Sequence, residues 1–171
     1  LATEVVIEAY KQAWLHEFET EKRKIQHAIE GEIFQIEHIG STSIVGLPSK
    51  PIIDIAIGVN RLDEADAFIE PLHKLGYEYV PKAEFPTRRF FRKGGWRKGT
   101  HHLHFYERNS EAWNNNLLFR NYLRSHPEKV EEYAQLKKHL ASLYSHDRPT
   151  YTQLKSPFIQ SIIELAKNTS S

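Results

Sequence analysis

Two short stretches of the 171-residue chain carry residue types that phosphate and metal chemistry use. In the first, Ile39-Gly40-Ser41 precedes Asp54-Ile55, with residues 42–53 between them. A strand that ends in Gly-Ser and a second strand that presents one carboxylate would leave a phosphate-sized gap beside a metal-binding oxygen. Glycine lets a phosphate approach the backbone, while hydroxyls and amides of the Gly40, Ser41, Thr42, Ser43 turn can donate to its oxygens. Asp54 stands alone in an otherwise apolar run, where a charge must be paired or metal-bound. The bland alternative is a capped turn with Asp54 in a salt bridge. The second stretch is Thr100-His101-His102-Leu103-His104. Strand alternation puts His102 and His104 on one face, about 7 Å apart, close enough to share an ion with Asp54. Such a mixed set favours Zn²⁺, Mn²⁺, Fe²⁺ or Ni²⁺ over Mg²⁺, which prefers oxygen ligands. Otherwise these histidines hydrogen-bond within the sheet or contact phosphate.

Positive charge gathers in Lys82 to Lys98, where seven cations face Glu84 alone and Phe90, Phe91 and Trp96 interleave. Arg88 or Arg89 is the better phosphate candidate, because neighbours on a strand face opposite sides. Lys93, Arg97 and Lys98 read as a solvated hairpin tip. Lys50, just before the Asp54 strand, is a similar phosphate candidate. Lys155 could reach the same cleft from a late helix, or be a plain surface lysine.

The elements that must position these residues are an α+β set. Val5 to Ile29 has helical periodicity, with Thr3 as N-cap and Gly31 as stop. Strands follow at Ile33 to Ile39 and Ile52 to Val59, the latter apolar enough to be covered on both faces. Leu62 to Leu75 reads as a helix closed by Gly76, with Pro71 inside it as a candidate kink. Tyr77 to Val80, Thr87 to Arg92 and Thr100 to Tyr106 read as strands, the last two joined through Gly94, Gly95 and Gly99. Beyond Glu107 the chain turns helical: Ser110 caps Glu111 to Ser125, Pro127 opens Glu128 to Tyr144, and a last helix runs from about Tyr151 to Ala166. The length suits one domain over residues 1–171, with a sheet-forming part to about 107 and a helical part from 108.

Composition narrows the function classes. Lys and Arg number 23 against 22 Asp and Glu, which argues against a polyanion binder held by bulk charge. With no cysteine, disulfides, thiolate metal sites and a Cys nucleophile are excluded. No apolar run approaches the roughly 20 residues of a membrane span, and the start does not read as a signal peptide. A cytoplasmic protein is the expectation. The chain begins without Met, as if the native first residue were missing. No Walker-type loop or zincin pattern is present.

The block His38-Ile39-Gly40-Ser41-Thr42-Ser43-Ile44-Val45-Gly46-Leu47-Pro48-Ser49-Lys50-Pro51-Ile52-Ile53-Asp54-Ile55 resembles the signature of the GrpB family. That family also occurs fused to dephospho-coenzyme A kinase in some bacteria. Thr100 to His104, Leu118-Phe119-Arg120-Asn121-Tyr122-Leu123 and Lys155-Ser156-Pro157-Phe158-Ile159 resemble it too, so the likeness spans nearly the whole chain. It implies membership of the nucleotidyltransferase superfamily, with a small mixed sheet of polymerase-β type flanked by helices. The superfamily pattern places a second carboxylate two residues after the first, yet this chain has Ala56 there. Two-metal phosphoryl transfer needs several anionic ligands, so either a metal is held differently or the transfer chemistry is lost.

Two readings follow. In the first, the protein is a nucleotidyltransferase-like enzyme that binds a nucleotide or phosphorylated small molecule with a divalent cation (Mg or Mn, or Zn). Asp54 is then the catalytic metal ligand, with Gly40, Ser41, Thr42, Ser43, Lys50, Arg88, Arg89 and Lys155 on phosphate, and His102 and His104 completing the metal set. In the second, it is a non-catalytic module that binds a nucleotide or coenzyme A precursor. An RNA-binding role has only the basic hairpin behind it.

Overall fold

The computed structural model describes residues 4–29, 35–95 and 98–169. Its sheet has five strands: β1 (Gln35–Ile39), β2 (Ile53–Val59), β3 (Tyr77–Val80), β4 (Arg88–Gly95) and β5 (Lys98–Glu107). They lie in the order β1-β2-β5-β4-β3, with β2 and β5 parallel and every other pair antiparallel. β2 is buried almost throughout, as its continuous Ile-rich run requires. On one face Ile53, Ile55, Ile57, Leu103, Phe105 and Phe91 pack beneath α1 (Ala13–Ala28) and α2 (Ile69–Lys74), through Trp14, Phe18, Ile25 and Leu72. On the other, Ile39, Ala56 and Tyr106 pack against Trp113 of α3 (Glu111–Arg124).

The helical third is built as its caps direct. The Ser110 side chain accepts a hydrogen bond from the Trp113 amide at the start of α3, and Pro127 opens α4 (Pro127–Leu143). A second core joins these helices to α5 (Arg148–Thr169) and to the loop after β1, through Ile44, Leu47, Leu123, Tyr133 and Ile162. Among the described residues no helix is long and apolar enough to cross a membrane.

Three elements differ from the sequence expectation. Residues 5–10 are extended rather than helical: Glu8 pairs with Ser49 through two 2.9 Å backbone hydrogen bonds, and the Val5 amide donates to Ser145. Three β-branched residues in a row (Val5, Val6, Ile7) favour that geometry, and Val6, which helical periodicity would bury, is 53% exposed. Leu62–Phe68 forms 3₁₀ turns that give way to α2 at Ile69. Pro71 therefore falls in the first α-helical turn, where a missing N–H costs little, and does not kink a longer helix. α5 starts at Arg148 rather than Tyr151, because Asp147 caps it through the Thr150 amide (3.2 Å) and Pro149 sits in its first turn. Thr3, Gly31, Ile33, Phe34, Trp96 and Arg97 lie outside the described residues.

Across the sheet from the open cleft, Glu21 of α1 is only 3% exposed. It accepts from Tyr77 Oη (2.9 Å) and Lys93 Nζ (2.8 Å), with His101 Nε2 at 3.9 Å. Burial alone would raise its pKa, but the hydrogen bonds from Lys93 and Tyr77 leave it lowered and the carboxylate ionised. Glu21→Leu is therefore expected to leave Lys93 without its counter-charge and to cost about 3 kcal/mol in urea denaturation. An unchanged midpoint would show that the pair does not anchor α1.

Candidate functional site: an aspartate–histidine set beside a lysine-lined cavity

The site begins where β1 ends. Gly40 has φ +72°, a left-handed conformation, and a Cβ there would lie 2.6 Å from Asp54 Oδ2. The missing side chain is therefore the space into which the Asp54 carboxylate fits, a role different from a phosphate cradle. Beyond it, residues Ser41–Ser43 form one 3₁₀ turn. Thr42 and Ser43 are buried, and their hydroxyls serve the turn itself. Thr42 donates to the Ile52 carbonyl (3.2 Å) and lies 2.9 Å from His38 Nε2, while Ser43 donates to the Gly40 carbonyl. Of the three hydroxyl residues, Ser41 alone lines the cavity described below.

Parallel pairing of β2 with β5 sets Asp54 opposite His102 and Ala56 opposite His104. His104 Nε2 lies 3.1 Å from Asp54 Oδ1, and His102 Nδ1 lies 3.5 Å from the same oxygen. One ligand atom from each of the three lies within 4.8 Å of the others. Burial alone would raise the Asp54 pKa, but hydrogen bonds to His102 and His104 hold it well below the usual carboxylate range. Burial pushes His104 down despite Asp54 beside it, so at neutral pH the ring is uncharged. An ionised carboxylate beside a neutral imidazole is the protonation state that a metal requires. His104 Nδ1 is buried without a hydrogen-bond partner among the described residues. The donor set of one oxygen and two nitrogens suits a single ion such as Mn²⁺ or Zn²⁺ and does not suit a pair of Mg²⁺ ions. The second carboxylate position is filled by Ala56, whose methyl belongs to the apolar cluster under Trp113.

Asp54 and His102 also line a cavity of about 140 Å³ with Ser41, Ser49, Ile52, Tyr151 and three lysines: Lys50, Lys137 and Lys155. Lys137 is 2% exposed, and its Nζ donates to the Pro48 carbonyl at 2.9 Å. Burial, reinforced by Lys155 and Lys50, pushes its pKa down to about 6. Lys155 Nζ sits 4.6 Å from the centre of the Tyr151 ring, and burial with Lys50 nearby lowers it to about 8. Lys50 lies 5.7 Å from the same ring and is lowered too, by burial and by Arg148. Lys50 and Lys155 with the amine of Lys137, set around one aspartate, give the cavity a surplus of cationic groups, as recognition of an anion requires. Sequence reasoning named Lys50 and Lys155 and missed Lys137. The signal was present: Val130, Tyr133, Ala134, Lys137 and Leu140 form the buried stripe of α4, and Lys137 is its one charged member.

The arginine alternatives separate by face. Arg88 lies on the Asp54 side, with Nη1 3.5 Å from Tyr106 Oη, whose residue shares a face with His104. Arg89 points to the opposite side and pairs with Asp66 at 3.2 Å, so the expectation that it serves the cleft is corrected. Two further cations of the basic hairpin are likewise neutralised locally: Arg92 meets Glu78 and Lys93 meets Glu21.

Two measurements test this arrangement. Gly40→Ala is expected to cost about 2 kcal/mol more than Gly46→Ala: both have positive φ, but only the first drives a methyl into Asp54. Equal losses in denaturation would remove the close-approach argument. Lys137 is expected to make the native state more stable as pH rises from about 6 to its ordinary 10.5, since there the unfolded chain holds a proton that the native chain lacks. The slope is up to about 1.4 kcal/mol per pH unit. The stability advantage of Lys137→Met over the parent chain should accordingly shrink from pH 6.5 to pH 9, and a constant gap would contradict the buried, deprotonated lysine.

Comparison with known proteins gives this geometry relatives. The family profile described as GrpB protein matches residues 4–165. The chain is 42% identical to UPF0157 protein YqkA of Bacillus subtilis over 95% of its own length, although it spans about half (47%) of that protein. It is 34% identical to the glutamate-rich protein GrpB of Alkalihalophilus pseudofirmus over 94% of each chain. A dephospho-CoA kinase of Mycolicibacterium paratuberculosis matches at 27% identity over 74% of this chain and 37% of that one. Among solved structures, the conserved protein GrpB from Enterococcus faecalis superposes with a TM-score of 0.88 at 34% identity, covering 96% of this chain and 99% of that one. The Cid1 poly(U) polymerase superposes with a TM-score of 0.56 at 16% identity, over 80% of this chain and 44% of that one, a likeness of fold. The five-stranded mixed sheet with its flanking helices is therefore of the polymerase-β-like nucleotidyltransferase type. By family profile, by sequence and by structure, the chain belongs to the GrpB family.

Proposed function

We propose that this protein binds a nucleotide or related phosphorylated small molecule together with one divalent cation, in the cleft between the sheet and the helical third. The observation that carries the reading is a single cavity in which Asp54 and His102 meet Lys50, Lys137 and Lys155. Asp54, His102 and His104 would hold the ion, Mn²⁺ or Zn²⁺ in preference to Mg²⁺. A bound cation would screen phosphate charge and polarise a phosphoryl oxygen. Lys50 and Lys155 donate to phosphate oxygens, Ser41 adds a neutral donor, and Lys137 regains its proton when an anion enters. The fold supports nucleotidyl transfer to a hydroxyl or phosphate as the reaction, with Asp54 as the catalytic ligand, and we assign the protein to the cytoplasm.

Two observations favour a second reading. A lone carboxylate, with Ala56 in place of another, is a poor clamp for two ions, and one relative is named a dephospho-CoA kinase. A non-catalytic domain that senses a nucleotide or a coenzyme A precursor would need only the binding half of the machinery.

Thermal unfolding separates these cases. With Mn²⁺ and a panel of nucleotides and coenzyme A precursors, a ligand at 100 times its Kd should stabilise the parent chain by about 2.7 kcal/mol. Asp54→Asn should abolish the metal-dependent part and leave the ligand-free melting temperature near that of the parent, since Asn still accepts from His104. No metal response in the parent, with a large loss in the variant, would make Asp54 a purely structural partner. Binding without turnover of any nucleoside triphosphate would favour the sensor.

A further inference from the structure

The cleft has a second side. β4 and the loop before it place Lys82, Phe85, Arg88 and Phe90 together next to the histidine pair. Phe90 packs its ring on His102 at 5.1 Å and on His104 at 5.3 Å. Its β4 position is opposite His104, and Arg88 is opposite Tyr106, so both stand on the Asp54 face of the sheet. The Arg88 guanidinium lies 3.7 Å from the centre of the Phe85 ring, and Lys82 Nζ lies 5.2 Å from Phe85 and 5.7 Å from Phe90. Phe85 and Phe90 meet edge to face at 6.4 Å.

The charges here are disposed unlike those in the rest of the hairpin. Arg89, Arg92 and Lys93 each end on a carboxylate of a neighbouring element. Lys82 and Arg88 form no ion pair among the described residues and rest on aromatic faces, and Arg88 Nε is buried without an acceptor. A guanidinium already stacked on one ring offers its other face to a second planar group, and its remaining N–H groups to an anion. A ligand with both a flat π-system and a phosphate satisfies the pair. The lysine cavity supplies no such guanidinium: it is small, and its Tyr151 ring is already covered by Lys50 and Lys155.

We infer that Lys82, Phe85, Arg88 and Phe90 form a second ligand subsite, across the Asp54–His102–His104 set from the lysines, that takes the base and phosphate of a nucleotide end. This deepens the reading of the protein as a binder of phosphorylated ligands, and depends on that reading only for what occupies the lysine side. Two molecules would then meet over the histidines, one held by its phosphates and one by its base. Arg88, opposite Tyr106 on the same face as His104, is the member of this subsite whose charge is felt at that histidine.

Titration calorimetry with two probes tests the subsite. The 5′-phosphorylated dinucleotide pApA is titrated into the full chain with Mn²⁺, with and without saturating inorganic tripolyphosphate. The dinucleotide is expected to bind in both conditions. Arg88→Ala should weaken it about tenfold or more, as expected for loss of a stacked base and a phosphate contact. Arg88→Lys should weaken it too, because an ammonium cannot stack. Arg89→Ala, on the opposite face, should leave it unchanged, and Lys50→Ala should weaken tripolyphosphate alone. Displacement of pApA by tripolyphosphate, or undiminished affinity in Arg88→Ala, would overturn the second subsite. Tripolyphosphate binding with no dinucleotide binding would overturn it while leaving the lysine cavity intact. Arg88-dependent dinucleotide binding with no tripolyphosphate binding would support it and refute the cavity reading.

Discussion

An ionised carboxylate inside a buried strand is the constraint around which the cleft is arranged. Asp54 interrupts a run that otherwise reads Ile52-Ile53-Ile55-Ala56-Ile57, and charge in such a place must be compensated by direct contacts. The compensation comes from three directions. Gly40 withdraws its side chain so that one carboxylate oxygen can sit against the backbone of the turn. His102 and His104 bring ring nitrogens to the other oxygen. Lys50 and Lys155 add positive potential from the cavity side, beside the uncharged amine of Lys137. Even Ala56 fits this account: a larger or charged residue there would intrude on the apolar contact of Ile39, Tyr106 and Trp113 that seats α3 on the sheet.

The helical third does more than cover one face. It carries Lys137 and Lys155 to the cavity beside Asp54 and His102 of the interior strands, and the loop after β1 brings Lys50 to meet them. Burying three lysine side chains near one another is unfavourable, and their lowered pKa values express that cost, set first by burial and then by neighbouring cations. The Pro48 carbonyl is the direct acceptor found for Lys137, so a backbone dipole stands in where a stronger acceptor would fit. Recognition and stability are in tension at this site, as they commonly are where groups are set to receive a charged ligand.

Much of the frame could be read from the chain. Strand alternation placed His102 and His104 on one face, and the helix signals Ser110 and Pro127 marked real starts. Other features are decided by partners distant in sequence. Helical spacing in Val5 to Tyr10 was overridden by pairing with Ser49 and Ser145, which no local pattern reveals. Arg88 and Arg89 are indistinguishable by composition, and only the register against β5, together with Asp66 on the far side, separates them. Thr42 resembles a ligand-binding hydroxyl until the Ile52 carbonyl comes within reach of it. Lys137 was legible as a charge on an apolar stripe but was passed over, since lysines on helices ordinarily face water.

The parallel pairing of β2 with β5 has a consequence for how the protein comes into being. Asp54 and His104 are fifty positions apart, and β5 cannot dock on β2 until the whole crossover through α2, β3 and β4 has been made. On the ribosome, therefore, the carboxylate emerges well before its imidazole partners, and Lys155 follows them by roughly another fifty residues. Until then Asp54 is a solvated side chain on an edge still waiting for its neighbour. Non-local closure of this kind is slow relative to helix formation. Acquisition of the cleft is consequently a late event in biogenesis, and truncated or stalled chains emerge without it.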